Sequence, residues 1–380
     1  MKYYIIAGEA SGDLHGSNLI RQLHLLDHSA EFRCWGGDKM EAAGATLVKH
    51  YKELAFMGFT EVLKNLGTIF KNLKFCKEDI MRFHPDAIIL IDYPGFNLRI
   101  ARWAKQQHLT GGWFGKLVYY ISPQVWAWKA NRVKSMKQCI DKMICILPFE
   151  KEYYKEKWNW EVEYVGHPLV EVVDQFMVHS SKFVMERQVD GKLIALLPGS
   201  RKQEILKKLP IMLQVTRSFP DYLFVVAKAP GLEEDFYNEI LAPYKNVSSV
   251  VNKTYELLSS AKAALVTSGT ATLETALFDV PEVICYKGNA LSYRIARRLI
   301  KIKYIGLVNL IMDKPVVKEL IQDELNTENL KRELHELLTN KEKQLQLKKD
   351  YAALRQLLSE GGNASANAAK SIWKLFIPIP

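Results

Sequence analysis

The chain has 380 residues, 52 of them Lys or Arg against 42 Asp or Glu, for a formal net charge of +10. At 48% hydrophobic and 25% charged it has the balance of a globular protein, long enough for two domains, and not that of a disordered or fibrous one. No stretch reaches the ~18 uninterrupted apolar residues of a membrane-spanning helix. Met1–Gly8 runs straight into a strand-like segment without a signal-peptide pattern. Cys34, Cys76, Cys139, Cys145 and Cys285 form no CxxC and read as reduced cytosolic thiols. The positive surplus leaves three partners open: nucleic acid, an anionic membrane or phosphorylated substrates.

In chain order, short apolar runs alternate with longer periodic segments, the pattern of an α/β protein with parallel sheets. The first half predicts strands over Tyr3–Ala7, Phe32–Trp35, Ala87–Ile91, Leu117–Ile121 and Met143–Leu147. Val165-Gly166-His167-Pro168-Leu169 punctuates like a linker. The pattern then restarts with Leu193–Leu197, Leu223–Ala227, Ala263–Thr267 and Val283–Tyr286. Two Rossmann-like domains facing one another across a cleft are expected, over residues 1–168 and 169–359. Thr327–Leu358 reads as helical, and Gly361 and Gly362 break it before a last helix, Ala364–Phe376.

The sequence lacks GxGxxG, a Walker loop, GxSxG, HExxH and any Asp-x-Asp, which weakens nucleoside triphosphate, serine-hydrolase and zinc-hydrolase readings. What it has lies at the carboxyl ends of predicted strands, where open α/β sheets bind ligands. Gly8-Glu9-Ala10-Ser11-Gly12-Asp13-Leu14-His15-Gly16 follows the first strand, with Glu9, Asp13 and His15 at its mouth. Asp13 either meets a ligand or caps the helix that follows. Ile91-Asp92-Tyr93-Pro94-Gly95-Phe96-Asn97 ends the apolar strand Ala87–Ile91. There Asp92 is either a partly desolvated general base or the cap of a helix starting near Phe96.

In the second half, Leu197-Pro198-Gly199-Ser200-Arg201 offers the amides of Gly199 and Ser200 and the forked cation of Arg201 to a phosphate. Thr267-Ser268-Gly269-Thr270-Ala271-Thr272-Leu273-Glu274 is again strand then helix. Ser268, Gly269 and Thr270 sit where a helix N-terminus receives a phosphate, and Glu274, one turn on, can accept from ribose hydroxyls. Two such loops in one half argue for a nucleoside diphosphate. Two basic amphipathic stretches, Glu61–Phe83 and Leu291–Lys303, each read singly as a core-facing helix with a solvated basic face, and together with the greasy loop Phe56-Met57-Gly58-Phe59 they admit a membrane-surface reading. Nucleic acid is disfavoured, since the basic residues are not interleaved with stacking aromatics.

GEASGDLHG at the start, IDYPGFN at 91–97, YISPQVWAWK at 120–129, LPGSR at 197–201, SGTATLE at 268–274, GLVNLI at 306–311 and KELIQDE at 318–324 run in order across the chain. Together they resemble the lipid-A-disaccharide synthase family. The resemblance implies a GT-B glycosyltransferase whose C-terminal helix, about residues 360–380, crosses back to an acceptor- and lipid-binding first domain, the second domain binding the UDP-sugar. It implies an inverting reaction that joins UDP-2,3-diacylglucosamine to 2,3-diacylglucosamine 1-phosphate, giving a β(1→6) disaccharide and UDP. No metal or other cofactor is implied. The enzyme would be peripheral on the cytoplasmic face of an inner membrane, and a homodimer with exchanged C-terminal segments.

Carried over residue by residue, Asp92 is the leading base, with Glu9 and Asp13 as alternatives, and Arg201 meets the UDP diphosphate. Asn309 and Gln322 fall near the nucleotide with Gly199, Ser200, Ser268, Gly269, Thr270 and Glu274. Glu9, Ser11, Asp13, Phe56, Met57 and Phe59 fall on the acceptor and its acyl chains. His15 carries no essential role. Two other readings stand beside this one: another GT-B enzyme such as a UDP-N-acetylglucosamine 2-epimerase, and a non-catalytic peripheral lipid-binding protein.

Overall fold

A computed structural model describes residues 1–54, 66–179, 192–229, 232–289, 293 and 302–377. The chain divides into two compact units, Met1–Pro168 with Ser359–Pro380, and Leu169–Leu358. Each is built on a parallel sheet covered by helices, the Rossmann-like α/β arrangement.

Among the described residues the first unit holds β1 (Lys2–Ala7), β2 (Glu31–Gly36), β3 (Thr46–His50), β4 (Ala87–Ile91), β5 (Lys116–Tyr120), β6 (Lys142–Cys145) and β7 (Glu163–Tyr164). They lie in the order β3-β2-β1-β4-β5-β6-β7. Every residue of β4, Ala-Ile-Ile-Leu-Ile, is buried, as a central parallel strand sandwiched between helices must be. The chain steps outward from β1 to β3, then returns to β4 on the other side of β1. That reversal opens a crevice at the strand ends. The register pairs Ala7 with Ile91, so the loop after β1 and the loop after β4 leave the sheet side by side.

The second unit repeats the plan with β8 (Leu193–Leu197), β9 (Leu223–Lys228), β10 (Val247–Val251), β11 (Ala263–Thr267), β12 (Glu282–Tyr286) and β13 (Lys318–Ile321), in the order β10-β9-β8-β11-β12-β13. Leu197 pairs with Val266, which sets the loop after β8 beside the loop after β11.

The nine strands expected from apolar runs are present, with ends moved by a residue or two. The four that the pattern does not reveal, β3, β7, β10 and β13, close the edges of the two sheets. An edge strand buries less, so Thr-Leu-Val-Lys-His, Val-Ser-Ser-Val-Val and Lys-Glu-Leu-Ile carry no continuous apolar run. The segment from Thr327 onward is two helices, Thr327–Thr339 and Lys341–Ser359, and not one. Asn340 ends the first in an extended conformation and caps the second, its Oδ1 accepting from the Lys343 amide at 3.0 Å.

The last helix, Ala364–Trp373, packs along the helix Ala10–Leu26 of the first unit, and Ser371 Oγ donates to Glu163 on β7 at 2.7 Å. This return depends on Gly361. A Cβ there would overlap the main chain of Val165 and Gly166, and Gly166 itself has φ +92°, in the left-handed region. Replacing Gly361 by Ala is therefore expected to lower the unfolding free energy by about 1–3 kcal/mol. Gly67→Ala, with nothing within 4 Å of the added methyl, should hold or raise it. Urea denaturation of the two variants checks both.

Candidate active site

The backbone turns sharply where β4 ends. Asp92 has φ 42° and Tyr93 φ 47°, two consecutive non-glycine residues in the left-handed region, a conformation costing about 1–3 kcal/mol per residue. Three contacts hold it. The buried Asn97 donates from Nδ2 to the carbonyls of Ile91 (3.1 Å) and Asp92 (2.8 Å). Tyr119 Oη donates to the Asp92 carbonyl at 2.5 Å. The Asp92 amide donates to Tyr120 O at 3.2 Å, extending the sheet pairing by one residue. Gly8 supplies the space: any side chain there would overlap the Tyr93 ring.

Asp92 does not cap a helix. The helix Pro94–Thr110 begins after Tyr93, and no side chain caps it. The Asp92 carboxyl is pushed up to about 6, first by burial and then by the Glu9 carboxylate beside it, against a hydrogen bond from the Tyr93 amide. A third acid, Glu150, stands at the start of the helix Glu150–Trp158. It accepts from Trp126 Nε1 (3.2 Å) and the Leu147 amide (3.1 Å), and burial, with a smaller push from Asp92, takes it to about 8. The patterns of the sequence do not single out Glu150 or Tyr119. The Pro-Phe-Glu turn after β6 is the one local signal for the former.

The other residues of the first loop divide. Glu9 and Ser11 stand at the surface end of the helix Ala10–Leu26. Asp13 is turned inward, where its carboxylate accepts from the amides of Gly37 (2.8 Å), Lys39 (3.2 Å) and Met40 (3.0 Å). It caps the short helix Asp38–Ala42 and not its own helix, satisfying amides at a buried position. His15 is buried and held neutral, lowered to about 4 by burial and by Lys39, with Nδ1 unpartnered. His167, lowered to about 3 by burial and by His15, is neutral too. Phe56, Met57 and Phe59 lie outside the described residues. Beside Tyr93, Leu54, Ile69, Asn72, Phe96 and Arg99 line a cavity of about 210 Å³.

In the second unit the loop after β8 turns through Gly199, at φ +109°. Ser200 is exposed, and Arg201 opens the helix Lys202–Thr216 with its side chain 54% exposed and its guanidinium 3.3 Å from Glu204. The nearly buried Lys208 sits 3.8 Å from the same Glu204. Beside this loop, Gly269 precedes the helix Thr270–Leu277 at φ +152°, a backbone conformation that favours glycine. Gly269 and Thr270 are exposed, while Ser268 Oγ donates to Ile305 O at 3.0 Å. Glu274 accepts from Tyr255 Oη at 2.9 Å. Gln322, at φ 54°, accepts from the Gly288 amide and leaves its buried Nε2 without a partner.

Asn309 is buried and hydrogen-bonded within the second unit. Its Nδ2 donates to Val317 O (2.8 Å) and Glu319 (3.0 Å), and its Oδ1 accepts from the Val317 amide (2.9 Å). Both of its donors are engaged in fastening the helix Leu307–Met312 to the strand β13. Among the described residues no group of three or more His, Cys, Asp or Glu converges on a metal position, and no helix is long and apolar enough to cross a membrane.

A family model described as "Lipid-A-disaccharide synthetase" matches residues 3–374. The lipid-A-disaccharide synthase of Syntrophus aciditrophicus is 37% identical over 375 residues, 97% of this chain and 96% of its own length. Among solved structures, the UDP-GlcNAc 2-epimerase of Neisseria meningitidis bound to UDP-GlcNAc superposes with a TM-score of 0.69 at 12% identity, over 98% of this chain and 100% of its own. A glycosyltransferase of kitacinnamycin gives 0.67 at 12% identity, over 99% of both chains. At such identity these two likenesses speak for the GT-B fold alone.

The raised Asp92 carboxyl has a consequence for stability. A carboxyl that folding makes a weaker acid binds more protons in the native state, so stability falls as pH rises from about 4, its unfolded value, through about 6. Asp92→Asn keeps a residue that tolerates the left-handed conformation and removes the charge. It should raise the urea midpoint at pH 7, with the gain shrinking to nothing below about pH 4.

Proposed function

The chain belongs to the lipid-A-disaccharide synthase family, and on that premise we propose that it transfers diacylglucosamine from UDP to the 6-hydroxyl of 2,3-diacylglucosamine 1-phosphate. The observation that carries the residue assignment is Asp92: a desolvated carboxylate on a locked turn, at the strand-order reversal of a parallel sheet. An α-linked donor giving a β-linked product requires one in-line displacement. As the acceptor oxygen forms its bond to the anomeric carbon, its proton passes to the Asp92 carboxylate, and the anomeric C–O bond to UDP breaks. A base near pKa 6 is ionised at neutral pH yet basic enough to assist.

The charge that builds on departing UDP falls to the second unit. Arg201, the amides at Gly199 and Ser200 and the N-terminus of the helix Thr270–Leu277 supply fixed positive ends in the two adjacent loops. The unpartnered Gln322 Nε2 is a further donor for the nucleotide, and Glu274 an acceptor for its ribose. Glu9 and Ser11 border the acceptor position. Acceptor and donor both carry acyl chains, and the protein would take them at the cytoplasmic face of an inner membrane. Exposed Phe70 and Phe75 on the helix Leu66–Phe83, among Lys71, Lys74 and Lys77, support peripheral attachment to an anionic lipid surface.

The test is turnover of UDP-2,3-diacylglucosamine with the 1-phosphate acceptor, read as disaccharide and released UDP. Asp92→Asn should keep UDP affinity and lose turnover, and Arg201→Ala should cost roughly 10²–10³ in kcat. Near-normal turnover in Asp92→Asn would pass the base role to Glu9. Interconversion of UDP-N-acetylhexosamines without transfer would replace the assignment with an epimerase.

A further inference from the structure

Around the helix Pro94–Thr110 the first unit gathers cations that no carboxylate answers. Arg132 is the first residue of the helix Arg132–Cys139, which packs on the helix Pro94–Thr110 that carries Arg102. Its guanidinium carbon lies 5.5 Å from the centre of the Trp128 ring, and Lys129 Nζ lies 4.2 Å from the same ring. Arg102 donates through Nε only to its own helix, at Leu98 O, 3.2 Å away. Among the described residues none of the three takes part in an ion pair, although ion pairs are plentiful elsewhere in both units. Burial and then the Arg132 charge hold the Lys129 ammonium below its usual range. Burial and, less strongly, Arg102 do the same to Arg132 against the pull of Tyr119. Lys129 and Arg132 share one indole face with no acid beside them, an arrangement that an anion would stabilise.

We propose that Arg132, Lys129 and Arg102, backed by the Trp128 ring, form the site that receives the phosphate monoester of the sugar acceptor. The inference rests on the transferase reading above and adds the residues that select the acceptor. Tyr119, whose hydroxyl bonds the Asp92 carbonyl, feels the charge of Arg132. The helix that starts two residues after Asp92 carries Arg102 and packs on the helix that Arg132 opens, so base and cations belong to neighbouring elements of one unit, as suits a sugar whose phosphate and reacting hydroxyl lie across one ring. A dianionic monoester matches several convergent cations, and the planar guanidinium forks of the two arginines pair with its oxygens two at a time. Trp128, 47% exposed, leaves part of its ring open beside them. Arg102 also borders a groove of about 470 Å³ with Phe70, Leu73, Lys74 and Lys77, so the cation cluster and an apolar surface adjoin.

The same cations would answer to a phospholipid headgroup, and the experiment separates the two sources. The full chain, Arg132→Ala and Lys129→Ala are titrated calorimetrically, in uncharged detergent micelles, with 2,3-diacylglucosamine 1-phosphate and with its dephosphorylated form. Each protein is also tested for flotation with vesicles containing anionic phospholipid. The proposal expects each variant to bind the phosphorylated acceptor about 10- to 100-fold more weakly. It also expects no change toward the dephosphorylated one, so the preference of the wild type collapses. In turnover the loss appears in KM for the acceptor and not in KM for the donor. Lys129 is exposed, so Lys129→Ala tests the site should Arg132→Ala fail to fold. Equal affinity of wild type and variants for the phosphorylated acceptor overturns the site. So does a wild type that binds both acceptors alike, or a loss confined to anionic vesicles. Because binding is read without chemistry, a wild type that binds with this preference but shows no transfer contradicts the proposed function and leaves the site standing.

Discussion

The main-chain carbonyl of Asp92 is gripped from two directions, by the Asn97 amide and the Tyr119 hydroxyl, and much of the first unit is organised around keeping it there. Two left-handed residues in succession would relax in an isolated peptide. Here β4 is buried along its whole length and paired on both sides, so the chain has no freedom to slide. Gly8 admits the Tyr93 ring, and Pro94 starts the next helix at once. The side chain of Asp92 is thereby fixed at the mouth of the crevice with Glu9 and Glu150 for company. Burial first and the Glu9 carboxylate second raise the Asp92 carboxyl, and Glu150 is raised chiefly by its own burial.

The central strands were legible because a parallel sheet buried on both faces demands continuous apolar runs, and Ala87–Ile91 and Ala263–Thr267 have them. The edges were not, since β3 and β10 owe their conformation to a neighbour and not to composition. The site shows the same division. A polar residue in a glycine-rich loop advertises chemistry, yet the sequence pattern cannot tell which polar residues the scaffold consumes. Asp13 answers three amides and Asn309 answers a strand and a glutamate, both fully occupied inside the protein. Arg201, Ser200 and Thr270, equally polar, stand at the surface. Glu150 went unseen for the opposite reason: its partner indole and its helix start lie 24 residues apart and meet only through the fold.

The surplus of ten positive charges divides along physical lines. Arg201 lies on a nucleotide-type loop of the second unit, already balanced in part by Glu204. Lys74 and Lys77 border the apolar groove of the first unit with Arg99 and Arg102. Arg132 and Lys129 form a separate cluster with no acid among them. Paired cations on a surface contribute little to stability, and like charges gathered without an acid repel one another. The distribution is thus better explained by anionic ligands than by solubility.

The base assignment stands most directly on the titration of the enzyme itself. The pH profile of kcat/KM for wild-type protein, with saturating donor and acceptor varied, reports the ionisation of the group that must lose its proton before reaction. A rise through about pH 6 to a plateau is the result expected of Asp92 in its buried, acid-flanked position. A limb near pH 4, the value of an ordinary exposed carboxylate, or no acidic limb at all, would contradict it.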